Sequence, residues 1–190
     1  SPQGQLVRAA RRAGYIPGYY LQSVSGIERA LGFDAASDPT RREALNRARD
    51  TGQPTATDPL TLIQDIGREG GFVVFLPLYK PGRPQNSLPE RRLNLQGYVS
   101  GAFRIRDLMN NALKGAQVED IEIRLYDARG GEKKQLLYEH RSKERESQAL
   151  PVKVSEAIQP APLQRVVPFE TAGRQWIVQF APTKEYLIAQ

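Results

Sequence analysis

The 190-residue sequence contains no cysteine and a single histidine. The first absence removes thiol nucleophiles, zinc–thiolate centres and disulfides together, and leaves the redox compartment open. The second removes most routes to general-base catalysis. A Ser-His-Asp arrangement would have to use His140, yet no Gly-x-Ser-x-Gly elbow surrounds any serine. His140 sits beside Arg141 at a charged strand end and reads as an exposed surface group. The carboxylates come in pairs (Asp34 with Asp38, Asp65 with Glu69, Glu119 with Asp120), none joined by a histidine or a spaced third acid. Gly70-Gly71 and Gly130-Gly131 lack the lysine and helix start of a phosphate loop. No catalytic residue, metal ligand or cofactor is assigned. No apolar run approaches the about 20 residues of a membrane span, and no secretory signal is present. The chain begins at Ser1-Pro2-Gln3 without a methionine and reads as an excised fragment.

What is present is a basic, mixed-charge chain with a formal charge of +6 and a pI near 9.7. Its basic residues are scattered among acids. The densest spots are Arg11-Arg12, Arg41-Arg42 and Arg91-Arg92, and no aromatic side chains interleave with them as stacking platforms. Nucleic acid is therefore not expected as a partner. The length suits one large domain or two of about 100 residues, and burial of roughly 70% of the unfolded surface makes disulfide or metal staples unnecessary.

The chain is organised around residues 71–79, Gly-Phe-Val-Val-Phe-Leu-Pro-Leu-Tyr, an apolar and aromatic run that favours a strand. A continuous run of this kind implies cover on both faces, and Pro77 implies a bulge, an end or a sheet edge. Upstream, residues 6–13 suit the last turns of a helix stopped by Gly14, residues 19–24 a strand, and residues 27–31 a helical turn closed by Gly32. The clearest helix has Asp38 as N-cap, Pro39 at its first position and Gly52 as its stop. Ala44, Leu45 and Ala48 form its narrow buried stripe, with Arg41, Arg42, Arg47 and Arg49 on the remaining circumference. Short strands are expected over 55–57 and 60–65, a surface loop over the proline-rich stretch 80–90, a glycine-opened strand over 96–104 and a helix over 107–113. The second half reads as strand 121–127, strand 135–140 and a hairpin of 163–169 with 174–180, with Trp176 as its largest buried surface.

The apolar strand, the glycine-opened strand and the hydroxyl groups of Thr55, Thr57, Thr61, Tyr79, Tyr98 and Ser100 admit two readings. A pocket with apolar walls and a few oriented polar groups is one. An ordinary sheet core is the other, and composition does not choose between them.

Specific words in the sequence do. Ala30-Leu31-Gly32-Phe33-Asp34, Ser37-Asp38-Pro39-x-Arg41-Arg42 and Ala48-Arg49-Asp50-Thr51-Gly52 are followed by Thr57-Asp58-Pro59-Leu60, the run 72–79 and Gly97-Tyr98-Val99-x-Gly101-Ala102-Phe103. In order and spacing over residues 27–113 they resemble the signature block of CHASE domains, and residues 118–190 resemble that domain's more variable second part. CHASE domains are extracytoplasmic sensors of histidine kinases, diguanylate cyclases and plant cytokinin receptors. The resemblance implies an α+β fold of two PAS-like subdomains with antiparallel sheets, preceded by a long N-terminal helix mostly missing here. Residues 1–14 would be the end of that helix, 15–113 the membrane-distal ligand-binding subdomain and 114–190 the membrane-proximal one. It further implies a non-enzymatic fragment of a receptor that carries a kinase or cyclase output domain. Such a receptor is expected to dimerise through the helix and to place this fragment in the periplasm between flanking transmembrane helices.

Carried over by position, Thr57, Ile63, Phe75, Tyr98 and Gly101 fall around the ligand cavity. Strand alternation adds Val73 to the Phe75 face and Ser100 to the Tyr98 face. Arg41 stands in the helix where plant receptors place an acid that grips the adenine moiety, and a cation cannot accept the purine N–H bonds. A small organic anion or a neutral molecule is thus as admissible as a cytokinin-like ligand. Thr57→Ile is expected to remove ligand response with the fold largely intact.

Overall fold

A computed structural model of the chain describes residues 7–22, 30–62, 70–116, 118, 120–130, 134–141, 148–149, 155–156, 163–183 and 187–188. The chain divides into two compact units between Ala102 and Phe103, with the first two residues of the central strand grouping with the second unit. Each unit carries one antiparallel sheet and at least one helix, an α+β architecture consistent with PAS-like subdomains.

The first unit is built on helix α1 (Pro39–Thr51) and strand β3 (Gly70–Tyr79). Helix α1 starts where the sequence places it: the Asp38 carboxylate accepts the Arg41 backbone N–H, and Pro39 occupies the first turn. It ends at Gly52, whose φ of 74° is the left-handed cap that a side chain would oppose. Strands β1 (Thr55–Ala56), β2 (Leu60–Thr61) and β4 (Leu95–Arg104) all pair with β3. In the β1 pairing Thr55 lies opposite Phe75 and Ala56 opposite Val74. Ala44, Leu45 and Ala48 of α1 pack on Leu60, Leu62, Val73 and Phe75 to form the core.

Three expectations for this unit need correction. Residues 7–13 form no helix: Arg8, Arg11 and Arg12 leave no apolar stripe to bury, and the segment is instead tied by polar contacts. Tyr15 donates its hydroxyl to the Ala10 carbonyl and accepts the Arg12 N–H, while Arg12 pairs with the buried Asp34. Residues 19–22 form no strand, and residues 23–29, with most of the expected helical turn, lie outside the described residues. Pro17 and Gly18 bridge to Asp34 and Leu31 instead, and a Cβ on Gly18 would stand 2.4 Å from the Ala30 carbonyl oxygen. Finally, β3 is covered on both faces only in its first half. Beyond Val74 the pattern alternates, with Phe75 and Pro77 buried and Leu76 and Leu78 exposed.

The end of the expected loop 80–90 is instead the start of helix α2 (Leu88–Asn94). Ser87 accepts the Glu90 backbone N–H, and the Glu90 carboxylate accepts those of Ser87 and Asn86. That capping box, with Pro89 in the first turn, offsets the missing apolar periodicity. Helix α2 docks on the C-terminal end of α1. Arg91 donates to the Asp50 carbonyl, and Arg92 grips the Asp50 carboxylate with two nitrogens at 2.6 and 3.0 Å. Hydrogen bonds from Arg92 and Arg49 hold the Asp50 carboxyl well below the usual carboxylate range. A group with a depressed folded pKa stabilises above its unfolded value of about 3.9 and loses that contribution as pH falls through the folded one. Acidification below about pH 4 should therefore weaken the first unit through Asp50. In acid-unfolding curves Asp50→Asn should lose that part of the slope, whereas an unchanged slope would mean the clamp contributes nothing.

The second unit is a six-stranded sheet. Strands β5 (Ile121–Asp127), β6 (Lys134–His140), β7 (Gln148–Ala149), β8 (Ser155–Glu156), β9 (Arg165–Thr171) and β10 (Arg174–Pro182) run in the order β7-β6-β5-β10-β9, with β8 also on β6. Helix α3 (Ile105–Leu113) belongs to this unit rather than to the first half. It buries Ile105 and Met109, one turn apart, and its Asn110 accepts the Tyr138 hydroxyl at 3.1 Å. Strand β5 does not keep its expected alternation, because a register shift after Leu125 leaves Tyr126 buried as well. Trp176 is buried, as its size demands, and lies against Arg174 at 5.7 Å.

Candidate functional site

Of the residues singled out from sequence, Thr57, Val73, Phe75 and Tyr98 lie on the inner face of the first unit's sheet, beneath α1. Thr57 is fully buried and reciprocally bonded to β3: its N–H donates to the Val73 carbonyl at 2.9 Å, and its hydroxyl oxygen accepts the Val73 N–H at 3.0 Å. Its own hydroxyl proton is left to donate. Val73 and Phe75, two residues apart on β3, share the buried face. Tyr98 of β4 meets Phe75 edge to face, with ring centres 6.2 Å apart, and donates its hydroxyl to the Leu45 carbonyl of α1 at 3.0 Å. Burial pushes the Tyr98 phenol up to about 12, so it stays protonated as a donor across the physiological range.

Arg41 lies at the N-terminal end of the same helix face. Positions 41, 44, 45 and 48 are the i, i+3, i+4 and i+7 of one stripe, and Arg41 is 7% exposed. The sequence places it on the solvated circumference; the structure buries it, because Phe33 folds over its guanidinium at 5.4 Å. Phe33 is held there by the turn that Asp34 organises, its carboxylate accepting the Ile16 and Ala36 N–H groups. Burial lowers the Arg41 pKa, partly offset by Asp38.

Two residues stand apart from this group and one cannot be placed. Ser100 is exposed and Gly101 half-buried, whereas Ile63 lies outside the described residues. Sequence reasoning did not place Phe33 at the site, and it listed the Tyr79 hydroxyl without a partner for it. Phe33 was legible only as a word of the family block. Tyr79 donates to the Arg49 carbonyl at 2.6 Å, capping α1 beside the Tyr98 bond. The basic pairs also change meaning, since Arg91 and Arg92 spend their donors within the fold and Arg41 is buried in the helix stripe. His140 is half-buried rather than exposed. Among the described residues no cluster of His, Asp and Glu is placed to hold a metal ion, and no helix is long and apolar enough to cross a membrane.

The model of the CHASE domain family matches residues 1–138, which include Arg41, Thr57, Val73, Phe75 and Tyr98. The chain belongs to the CHASE domain family. It is 30% identical over 145 residues to probable histidine kinase 6 of Oryza sativa subsp. japonica, an alignment covering 72% of this chain and 14% of that protein. It is 30% identical over 115 residues to histidine kinase 3 of Arabidopsis thaliana (60% of this chain, 11% of that protein). It is 22% identical over 191 residues to hybrid signal transduction histidine kinase A of Dictyostelium discoideum (95% and 9%). The chain thus spans about a seventh or less of the length of these relatives. A CHASE domain is an extracytoplasmic sensor module of signalling receptors and not a catalytic domain.

Proposed function

We propose that the first unit is the ligand-binding part of this CHASE module, in a bacterial inner-membrane receptor with a kinase or cyclase output. The ligand is a small molecule that would part α1 from the sheet and enter at the face formed by Thr57, Val73, Phe75 and Tyr98, which α1 covers in this structure. The observation that carries this reading is their convergence: residues from three separate sequence words meet on one buried face, together with a buried cation from a fourth. Tyr98 and Tyr79 tie that face to the helix, so a ligand that shifts α1 would be felt at both strands. A thermal-shift screen against purines, amino acids and organic acids tests the reading, since a ligand at 100 times its dissociation constant stabilises by about 2.7 kcal/mol.

Phe75→Ala should cost about 3–5 kcal/mol through the cavity it leaves, and should change which members of the screen bind. Calorimetric titration of the folded variant checks this. An unaltered ligand profile would move the site away from β3.

A second reading, a partner-binding or dimerisation module without a small ligand, is favoured by a different observation. The outer side of the sheet exposes Leu76, Leu78 and Val99, more than half of Val99 being open to solvent. Concentration-dependent sedimentation that Leu78→Lys abolishes would support it.

A further inference from the structure

Arg41 is an unusual tenant of a buried helix stripe. The other three stripe positions are Ala44, Leu45 and Ala48, all in the apolar core. A guanidinium carries five N–H donors in a planar fork. Among the described residues, those of Arg41 make one hydrogen bond, a long one of 3.4 Å from Nη2 to the Thr61 carbonyl. Among the described residues its acidic neighbour is Asp38, 3.6 Å from Nη1, and the same Asp38 oxygen already accepts the Arg41 backbone N–H at 2.9 Å. Phe33 offers a π face but no acceptor. No Arg41 nitrogen is both closed from solvent and without a partner, so its unused donors stay open to an incoming acceptor at this end of the stripe.

We propose that Arg41 is the recognition anchor of the first unit's ligand, and that this ligand carries a carboxylate. The proposal rests on the reading of the first unit as the ligand-binding part. A carboxylate presents two coplanar oxygens that match the guanidinium fork, and it adds a single negative charge to a site where Asp38 already stands 3.6 Å from the guanidinium. A phosphate dianion would bring more charge than this site neutralises. The one-turn spacing from Arg41 to Leu45, whose carbonyl holds Tyr98, would place the apolar body of such a ligand toward Val73 and Phe75. Thr57 still has a hydroxyl proton to offer there.

The test uses the 190-residue chain with sodium acetate, benzoate and phenylacetate as probes. Inorganic phosphate, adenine and sodium chloride at matched ionic strength are the controls. At least one carboxylate should raise the melting temperature of the wild type and bind one to one by calorimetry, with phosphate and chloride without effect. Arg41→Lys, which keeps the charge and loses the fork, should weaken that binding about tenfold or more. Arg41→Met should abolish it and, in anion-free buffer, melt at or above the wild-type temperature, because an apolar residue suits the stripe. The proposal is overturned if no carboxylate shifts the wild type, if Arg41→Met binds as well as wild type, or if Arg41→Met melts lower without anions. That last result would make the arginine a structural group. Adenine binding that Phe75→Ala alters and Arg41→Met does not would keep the pocket and remove the anchor. Carboxylate binding lost in Arg41→Met but untouched by Phe75→Ala would keep the anchor and remove the pocket.

Discussion

Asp127→Ala should lower the stability of the second unit by about 3–5 kcal/mol, the cost of leaving a buried cation without its carboxylate. Arg174 is 1% exposed, and its guanidinium pairs with Asp127 across the end of β5 and β10. Asp127 stands opposite Trp176 in the strand register, and Trp176 also lies against Arg174. Trp176 is the only tryptophan in the chain, so its fluorescence reports unfolding of this unit in a urea titration. The double variant Asp127→Ala, Arg174→Met should recover much of the loss, because a paired burial replaced by apolar groups is often near neutral. A single-variant loss below about 1 kcal/mol would show that the pair behaves as an exposed one.

Thr57→Ile should destabilise the first unit by about 2–6 kcal/mol, from an unsatisfied buried N–H and overpacking together. This departs from the sequence-based expectation of a largely intact fold. The sequence shows a hydroxyl ahead of Asp58-Pro59, but not that it accepts the Val73 N–H in a fully buried position. Isoleucine removes that acceptor and adds volume where none is exposed. Against a typical stability of about 5–15 kcal/mol the loss is large. Absence of ligand response in Thr57→Ile would therefore say little about a pocket. Thr57→Ser, which retains the acceptor and removes one methyl, separates the two roles. Far-UV circular dichroism on urea titration should show Thr57→Ser folding close to wild type and Thr57→Ile well below it.

These two cases mark what the sequence discloses. The bounds of helix α1 and the apolar part of its stripe were legible, because they are local: Asp38 and Pro39, Gly52, and Ala44, Leu45 and Ala48. So was the β9–β10 hairpin around Trp176. Helix α2 was obscured by prolines, although Ser87-x-x-Glu90 is a local start signal and could have been read. Arg41 could not have been placed from α1 alone. Its burial depends on Phe33, eight positions earlier and positioned by Asp34, which no helical periodicity encodes. The polar ties of the candidate site are tertiary in the same way: Thr57 with Val73 and Tyr98 with Leu45 are separated by 16 and 53 residues.

Hydrogen exchange with and without the carboxylate that most raises the melting temperature tests the central claim most directly, since it locates binding along the backbone. The account predicts slowed exchange in residues 39–45 and 70–75, where Arg41 and the Thr57-bonded Val73 amide lie. Protection confined to residues 121–182 of the second unit would contradict it.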